Sequence, residues 1–202
     1  MELSEYSIED LRNELFVKRK VPARQIELIL DKPYILPIDL NMIGAGFGNS
    51  REQIQKMDGR PWASWLENLV NNTFIGVTPS PSSGSSDYDH LLPSGRKADS
   101  KLLTRLGVSI GPSMNKGDRN KGKDILKNQG AAARAAYDQE RQEALDKKLE
   151  QIIIIVDITP IQEGIGDYVR LIAVEGADLK SLAKGKEGRI PLVKAKQAIF
   201  KD

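Results

Sequence analysis

The residues whose chemistry could support a metal site are few, and they lie in a loop-like stretch. His90, the single histidine of the 202 residues, stands beside Asp87 and Asp89 in the run PSPSSGSSDYDH. Imidazole nitrogen and carboxylate oxygen atoms are common metal ligands, yet a metal site also needs neighbours that fix its ligands in place. A stretch so rich in serine favours a solvated loop, and we expect no bound metal and no cofactor.

A glycine-rich run, GAGFG at 44–48, invites comparison with a nucleotide site because it lies between an extended segment and a short helix capped by Ser50. In dinucleotide-binding turns, glycines admit a pyrophosphate to the N-terminus of a helix. The third glycine of that pattern is missing at its proper position, and no βαβ repeat follows. The run therefore predicts a turn between elements.

Residues 96–127 carry nine Lys and Arg against three Asp, a net charge of +6. The densest part mixes cations with glycines, which suits contact with phosphates. No aromatic residues are interleaved to stack on bases, which argues against recognition of single strands. A solubilising linker and a docking segment for an acidic protein are the alternatives. The candidate phosphate-binding residues are Lys116, Arg119, Lys121 and Lys123.

No catalytic motif identifies an enzyme. The chain contains no cysteine, no metal-binding HExxH pattern and no phosphate-binding P-loop. Carboxylates are plentiful but scattered over charged segments, so a hydrolase built from Asp or Glu would bring them together only in space. Paired carboxylates with shifted titration would be the first sign of such an enzyme. We expect a protein without catalytic residues.

Composition sets the broad class. The formal net charge is only +2, far from the basic excess of a dedicated nucleic-acid binder, and 40% of the residues are hydrophobic. The absence of cysteine leaves folding to packing alone. The N-terminal residues lack the basic and apolar regions of a signal peptide, and no apolar run is long enough to span a membrane. We expect cytoplasmic synthesis and no membrane partner.

A run of isoleucines, followed by valine at 156, indicates the main strand. β-branched residues pack well on a pleated sheet, so residues 151–159 predict a strand that is covered on both faces and central in its sheet or capped by another chain. Residues 168–174 predict its antiparallel neighbour, and 189–193 a third strand at the edge. Together they predict a small C-terminal antiparallel β-sheet.

A long charged helix is expected over residues 124–151, interrupted at Gly130. From 138 onward its only apolar residues are Ala144, Leu145 and Leu149, a stripe too narrow to bury against a globular core. The helix is therefore either a solvated connection or a rod that packs along a partner.

The N-terminal region is expected to be mostly helical. Helices are predicted over 8–18 and 22–31, and the pair resembles the helix-extension-helix pattern of SAP- and LEM-like modules through Leu11, Leu15 and Leu28 with the Val21-Pro22 turn. That resemblance implies binding of DNA or of a partner protein, although the glycine expected between the helices is missing. An ordinary helical hairpin explains the same residues. A further helix over 61–70 presents both tryptophans on one face, which is typical of a core anchor or of a partner-binding surface.

Residues 73–123 differ in composition from their surroundings. Of these 51 residues, nine are serine, seven glycine and four proline. Compact domains seldom contain so long a connection, so the segment predicts a linker or an arm that reaches across a neighbouring molecule.

These patterns predict an α+β chain of four parts: a mostly helical unit (1–72), a basic linker or extended arm (73–123), a long charged helix (124–151) and a β-rich unit (152–202). So little apolar surface around one centre favours a non-enzymatic structural or adaptor subunit of a large assembly, such as a virion component of a phage capsid, neck, tail or baseplate. Its partners would be other protein subunits, including copies of itself. The alternative is a nucleic-acid-associated protein that binds phosphates through 96–127. The expected partner-binding residues are Trp62, Trp65, Leu69, Leu145, Leu149, Ile153 and Ile155.

Overall fold

The computed structural model describes residues 26–30, 32–41, 49–57, 60–81, 88–111, 116–185 and 187–201. The helix expected over 8–18, the glycine run at 44–48 and Asp87 lie outside these ranges. In chain order the elements are a 3-10 turn (Ile26–Ile29), β1 (Tyr34–Pro37), α1 (Arg51–Lys56), α2 (Arg60–Thr73), β2 (Thr78–Pro79), β3 (His90–Leu91), β4 (Lys97–Leu103), β5 (Val108–Ser109), α3 (Lys116–Leu149), β6 (Ile152–Asp157), α4 (Thr159–Gln162), β7 (Tyr168–Glu175), α5 (Gly176–Leu179), β8 (Arg189–Ile190), α6 (Leu192–Ala195) and a π-helical turn (Lys196–Phe200).

The described strands form one sheet of six, in the order β1-β7-β6-β4-β3-β2, and a separate pair, β5-β8. Strands β4 and β6 run parallel, and the other neighbours in the large sheet are antiparallel. The mixture of helices and strands agrees with the expected class. The expectation of a small C-terminal sheet is wrong, because strands between Tyr34 and Leu103 join those of the C-terminal part.

The isoleucine strand β6 is central and covered on both faces, as its sequence predicts. Every residue of β6 is buried, between β4 on one side and β7 on the other. Successive side chains alternate between the faces of a strand. Ile152, Ile154 and Val156 pack with α1 and α2 on one face, and Ile153 and Ile155 pack with the end of α3 on the other.

Helix α2 covers the first face of the sheet, as its apolar spacing predicts. Trp62, Trp65 and Leu69 are at most 7% exposed, and the two indole rings meet edge to face with centroids 5.1 Å apart. The helix therefore anchors the core of the chain itself. No described helix combines the length and apolar character that crossing a bilayer requires.

The segment predicted to be an arm contributes β2, β3, β4 and β5. Strand β4 lies inside the large sheet, with β6 on one side and β3 on the other. In residues 88–111 the expected free arm is therefore part of the body of the fold. The proline-containing strands β1 and β2 take the two edges, where a missing N–H does not break the pairing of a central strand.

Candidate active site

Strand β4 carries a carboxylate and an ammonium group onto the same face of the sheet. In the parallel register Asp99 lies beside Ile153, and Lys101 lies beside Ile155. Because in-register neighbours point to the same face, both polar side chains lie on the face that the end of α3 covers. The Asp99 side chain is 1% exposed, and the Lys101 Nζ atom lies 2.6 Å from its Oδ2 atom.

Asp89 joins the cluster from the turn that leads into β3. Its backbone N–H donates to the Ala98 carbonyl at 3.0 Å, and its Oδ2 atom accepts from the Ser100 N–H at 2.9 Å. The Asp89 carboxylate thus accepts a hydrogen bond from β4 that a backbone carbonyl of a neighbouring strand would otherwise accept. The two bonds hold Asp89 next to Asp99. The two carboxyl groups are close enough for each to affect the pKa of the other. A proton on Asp89 can then be shared between them.

A second lysine reaches the cluster from the last turn of α3. Lys148 Nζ lies 2.6 Å from Asp99 Oδ1, and its side chain is 14% exposed. Leu145 and Leu149 pack on the same sheet face and hold this turn in place. Asp99 therefore has one ammonium group at each oxygen atom. Its Oδ2 atom nevertheless receives no hydrogen bond of good geometry from the described residues, so the Lys101 contact is an ion pair rather than a directed bond.

The pKa values of the two carboxyl groups are shifted in opposite directions. Burial raises the pKa of Asp89 from its ordinary 3.8 to about 7, and the negative charge of Asp99 adds to this. Burial also acts to raise the pKa of Asp99, but the Lys101 ammonium, the hydrogen bond from Asp89 and the Lys148 ammonium together hold it below its usual value. Near neutral pH Asp99 is an anion, and Asp89 carries the shared proton for about half of the time.

His90 belongs to a different network on the opposite face. One ring nitrogen meets Asn71 Oδ1 of α2 at 2.8 Å, and the other meets the Ser100 hydroxyl. The ring is fully buried, and burial lowers its pKa from 6.5 to about 4. His90 is thus a neutral residue that links β3, β4 and α2. It does not share a site with Asp89, contrary to the grouping that the sequence suggests.

A shallow groove opens beside the carboxylate cluster. It is lined by Arg96, Lys97, Lys147, Glu150 and Gln151 and has a volume of about 380 Å³. Lys97 lies two residues before Asp99 in β4, and Lys147 lies next to Lys148 in α3. Arg96 is paired with Glu175, so Lys97 and Lys147 against Glu150 leave the groove with a slight positive charge.

The structure buries all seven expected partner-binding residues inside the chain. Trp62, Trp65 and Leu69 belong to the core on one face of the sheet, while Leu145, Leu149, Ile153 and Ile155 belong to the core on the other. As core residues they offer no surface to a second molecule.

The expected phosphate-binding residues lie in the first part of α3. Lys121 and Lys123 are exposed there. Lys116 and Arg119 take part in the same helix. The contact that the structure shows for Lys121 is with the Tyr137 ring, away from the carboxylate cluster.

Sequence reasoning missed the cluster of Asp89, Asp99 and Lys101. The available signal was an aspartate followed after nine residues by Asp-x-Lys, with both charges of Asp-x-Lys on one side of a strand. Residues 73–123 were interpreted as a linker, and the alternation of side chains between two faces applies only to a strand. The spacing of Asp99 and Lys101 therefore carried no information in that interpretation.

Among the described residues no group of three or more His, Cys, Asp or Glu side chains is arranged to hold a metal. Two carboxylates are nonetheless sufficient for Mg²⁺, which commonly keeps water and substrate phosphate in its remaining positions. Asp89 and Asp99 are therefore the residues that could hold such a cation. Comparison of the sequence with family models, with curated proteins and with solved structures finds no significant match.

Proposed function

We propose that the protein is a hydrolase that uses a divalent metal ion to cut phosphodiester bonds in nucleic acid. The observation that carries the proposal is the pair of neighbouring carboxyl groups of Asp89 and Asp99 beside β4, where the Ser100 N–H holds Asp89 and the Lys101 ammonium lies 2.6 Å from Asp99. A pair of carboxyl groups held together in a buried place costs the fold stability, and such perturbed groups cluster at functional sites.

The donor set suits a hard cation such as Mg²⁺. Carboxylate oxygen atoms are the ligands that this ion prefers, and two of them are held together by Asp89 and Asp99. A cation at the buried Oδ2 atom of Asp99 would compete for that atom with the Lys101 ammonium, which lies 2.6 Å away without a directed hydrogen bond. When bound, the cation supplies a Lewis acid and a water molecule of lowered pKa.

Each side chain of the cluster has a role in such a reaction. Asp89 loses its proton so that both carboxylates can serve as ligands. Lys101, beside the anchoring Asp99, is placed to hold the attacking water and to neutralise charge on the phosphoryl oxygen atoms. Lys148 lies 2.6 Å from Asp99, and its ammonium would add positive charge near a bound phosphate. Hydrolysis adds water across one P–O bond and leaves a phosphate monoester and a hydroxyl group.

The surroundings favour a phosphodiester over a peptide as substrate. Two aspartates that share a proton also occur in aspartic proteases, whose dyad activates water without a metal. Here, however, two ammonium groups lie within 2.6 Å of Asp99, and Lys97 and Lys147 line the adjoining groove. These charges stabilise a phosphate, and they would hold Asp99 ionised through the protease cycle, in which that dyad must exchange protons.

Cleavage of supercoiled plasmid DNA tests the proposal. We expect the purified protein to relax or linearise the plasmid in Mg²⁺ or Mn²⁺ and to stop in EDTA. Asp99→Asn and Lys101→Ala should each lower the rate by about 100-fold or more, because each removes a charge at the reacting centre. The matched controls, Asp178→Asn and Lys180→Ala, change exposed residues of the same types and should stay within about twofold.

Three results would refute the proposal. They are a wild-type protein that leaves plasmid and RNA intact with both metals, cleavage that persists in EDTA, or full activity in both cluster variants. Circular dichroism of each variant separates loss of chemistry from loss of folding. A protease assay on unfolded casein distinguishes the peptide alternative.

An assembly subunit is the second candidate. Two sequence features that favoured an assembly subunit no longer support it. The isoleucine strand is buried in the sheet of its own chain, and β4, within the expected arm, lies inside the fold. The charged helix α3, which is largely exposed, still favours an assembly subunit. Sedimentation of the purified chain tests this candidate, since a subunit would form large oligomers and an independent hydrolase would not.

A further inference from the structure

Helix α3 is a hairpin of two helices rather than one rod. Gly130 breaks the helix with φ 87° and ψ −178°. Lys121 Nζ lies 5.6 Å from the centre of the Tyr137 ring, whereas sixteen residues of straight helix would separate them by about 24 Å. Gly122 likewise lies against the Arg134 guanidinium. The two halves, 116–129 and 131–149, therefore fold back on each other.

The hairpin stands away from the body of the protein. Between 120 and 143 the only buried residue is Gly122, and Leu126 is 51% exposed. Burial against the sheet begins at Leu145. Eighteen residues separate Gly130 from Lys148, so the tip lies about 27 Å along the helix from the carboxylate cluster.

Charge is distributed unequally between the two halves. The first half, 116–129, carries five Lys and Arg against two Asp, a net charge of +3. The second half, 131–149, carries four cations and four carboxylates and is neutral overall. Lys121, Lys123 and Lys127 of the first half are exposed. Lys123 and Lys127 are four residues apart and share one side of the helix, whereas Lys121 lies over the Tyr137 ring of the second half.

The base of the hairpin lies at the proposed active site. Lys148 of the second half contacts Asp99. Gly188 lies close to Leu145 of the second half and to Gly111. Because the two halves fold back on each other, the start of the first half lies beside the part of the second half that approaches the sheet, and the basic first half runs from there to the tip.

We propose that the hairpin grips duplex DNA, with the exposed lysines of 116–129 on the phosphate backbone. This inference rests on the proposed function and names its substrate class. Fourteen helical residues extend over about 21 Å, comparable with six base pairs of B-DNA at 3.4 Å each. The major groove is about 12 Å wide and admits an α-helix, whereas the major groove of duplex RNA is too narrow. The aromatic residue of the hairpin, Tyr137, lies beneath Lys121 and is not offered for stacking on single-stranded bases.

Salt-dependent binding tests the grip without cleavage. Fluorescence anisotropy in EDTA would compare a labelled 20-base-pair DNA duplex, its single strand and the corresponding RNA duplex. We expect the wild type to prefer the DNA duplex, with affinity that falls steeply as salt rises. Changing Lys121, Lys123 and Lys127 together to alanine should reduce the slope of log K against log salt by about 2 to 3 and weaken binding about tenfold or more.

The control replaces Lys180, Lys184 and Lys194 by alanine, because these three lysines are exposed outside the hairpin. It removes the same charge and should change affinity and slope much less. Equal losses in both variants, or a preference of the wild type for single strands or for RNA, would overturn the grip on duplex DNA. Circular dichroism would test whether both triple variants keep their helices.

The two proposals fail separately. Hydrolysis of bis(p-nitrophenyl) phosphate by the wild type in Mn²⁺ reports the chemistry of the cluster without any grip on a polymer. If the wild type cleaves this diester but DNA binding ignores the hairpin lysines, the grip is wrong and the proposed function stands. If binding depends on those lysines but neither diester nor plasmid is cleaved, the hydrolase proposal is wrong and the grip stands.

Discussion

Replacing Asp89 by asparagine should stabilise the protein and abolish its chemistry. In the folded chain the pKa of Asp89 is raised from 3.8 to about 7, chiefly by burial. Above pH 3.8 the unfolded chain therefore releases this proton more readily than the folded chain does. Ionisation of Asp89 consequently favours unfolding, and stability falls as pH rises from about 4 to 7.

The magnitude follows from the size of the shift. Each pKa unit corresponds to about 1.36 kcal/mol, so the cost approaches roughly 4 kcal/mol at pH 8 and is roughly 2 kcal/mol at pH 5. Asparagine is neutral and nearly isosteric. Its Oδ1 atom can accept from the Ser100 N–H, and its amide can donate to Asp99 in place of the shared proton. The variant should therefore gain most of this energy at pH 8 and less at pH 5.

Urea unfolding in EDTA at pH 8 and pH 5 measures the gain. Asp178→Asn, at an exposed carboxyl group, is the matched control and should shift stability by less than about 0.5 kcal/mol at either pH. Added Mg²⁺ should stabilise the wild type, by about 1.4 kcal/mol at ten times its Kd, and leave Asp89→Asn unchanged. A variant no more stable than the wild type at pH 8, or a gain that does not shrink at pH 5, would refute the reasoning.

Three further predictions concern the scaffold. Ile154→Ala, at a fully buried site of β6, should lower the free energy of unfolding by about 2 to 5 kcal/mol in urea titrations, whereas Ile35→Ala, 58% exposed, should cost far less. The pKa of the His90 ring is lowered to about 4, so NMR should show the ring titrating near pH 4 in the folded chain and near pH 6.5 in denaturant. The neutral buried ring therefore contributes roughly 3 kcal/mol to stability above pH 6.5, and this contribution is lost as the pH falls from 6.5 to 4. A folded pKa near 6.5 would contradict this. Gly107→Ala should cost more in thermal unfolding than Gly95→Ala, because both have positive φ but only Gly107 has a backbone carbonyl in the space of the new Cβ; equal losses would show that the contact is relieved.

Local patterns predicted the parts of the fold that are locally determined. The apolar spacing of α2, the isoleucines of β6 and the break at Gly130 each depend on a few neighbouring residues, and the structure contains all three. These signals come from side-chain periodicity and backbone freedom, which a sequence displays directly.

Strand β4 was not predicted from the sequence because it contains buried polar residues. A strand buried on both faces normally reads as a continuous apolar run, and KADSKLL instead presents Asp99 and Lys101 to one covered face. The polar pair made the strand resemble a solvated loop. Its parallel partner β6 also lies some fifty residues away along the chain, so no short turn in the sequence indicates that the two strands pair. Sequence rules fail where function overrides them.

The hairpin packs on the sheet only at the end of its second half, through Leu145 and Leu149, which separates the proposed recognition of DNA from the proposed cleavage. Insertions, deletions or new side chains between 116 and 143 would alter what the hairpin touches while the sheet continues to hold Asp89, Asp99 and Lys101 in register. Lys148 marks the limit of this freedom, since it lies in the hairpin leg and yet contacts Asp99. An enzyme organised in this way can exchange one target for another without rebuilding its catalytic centre.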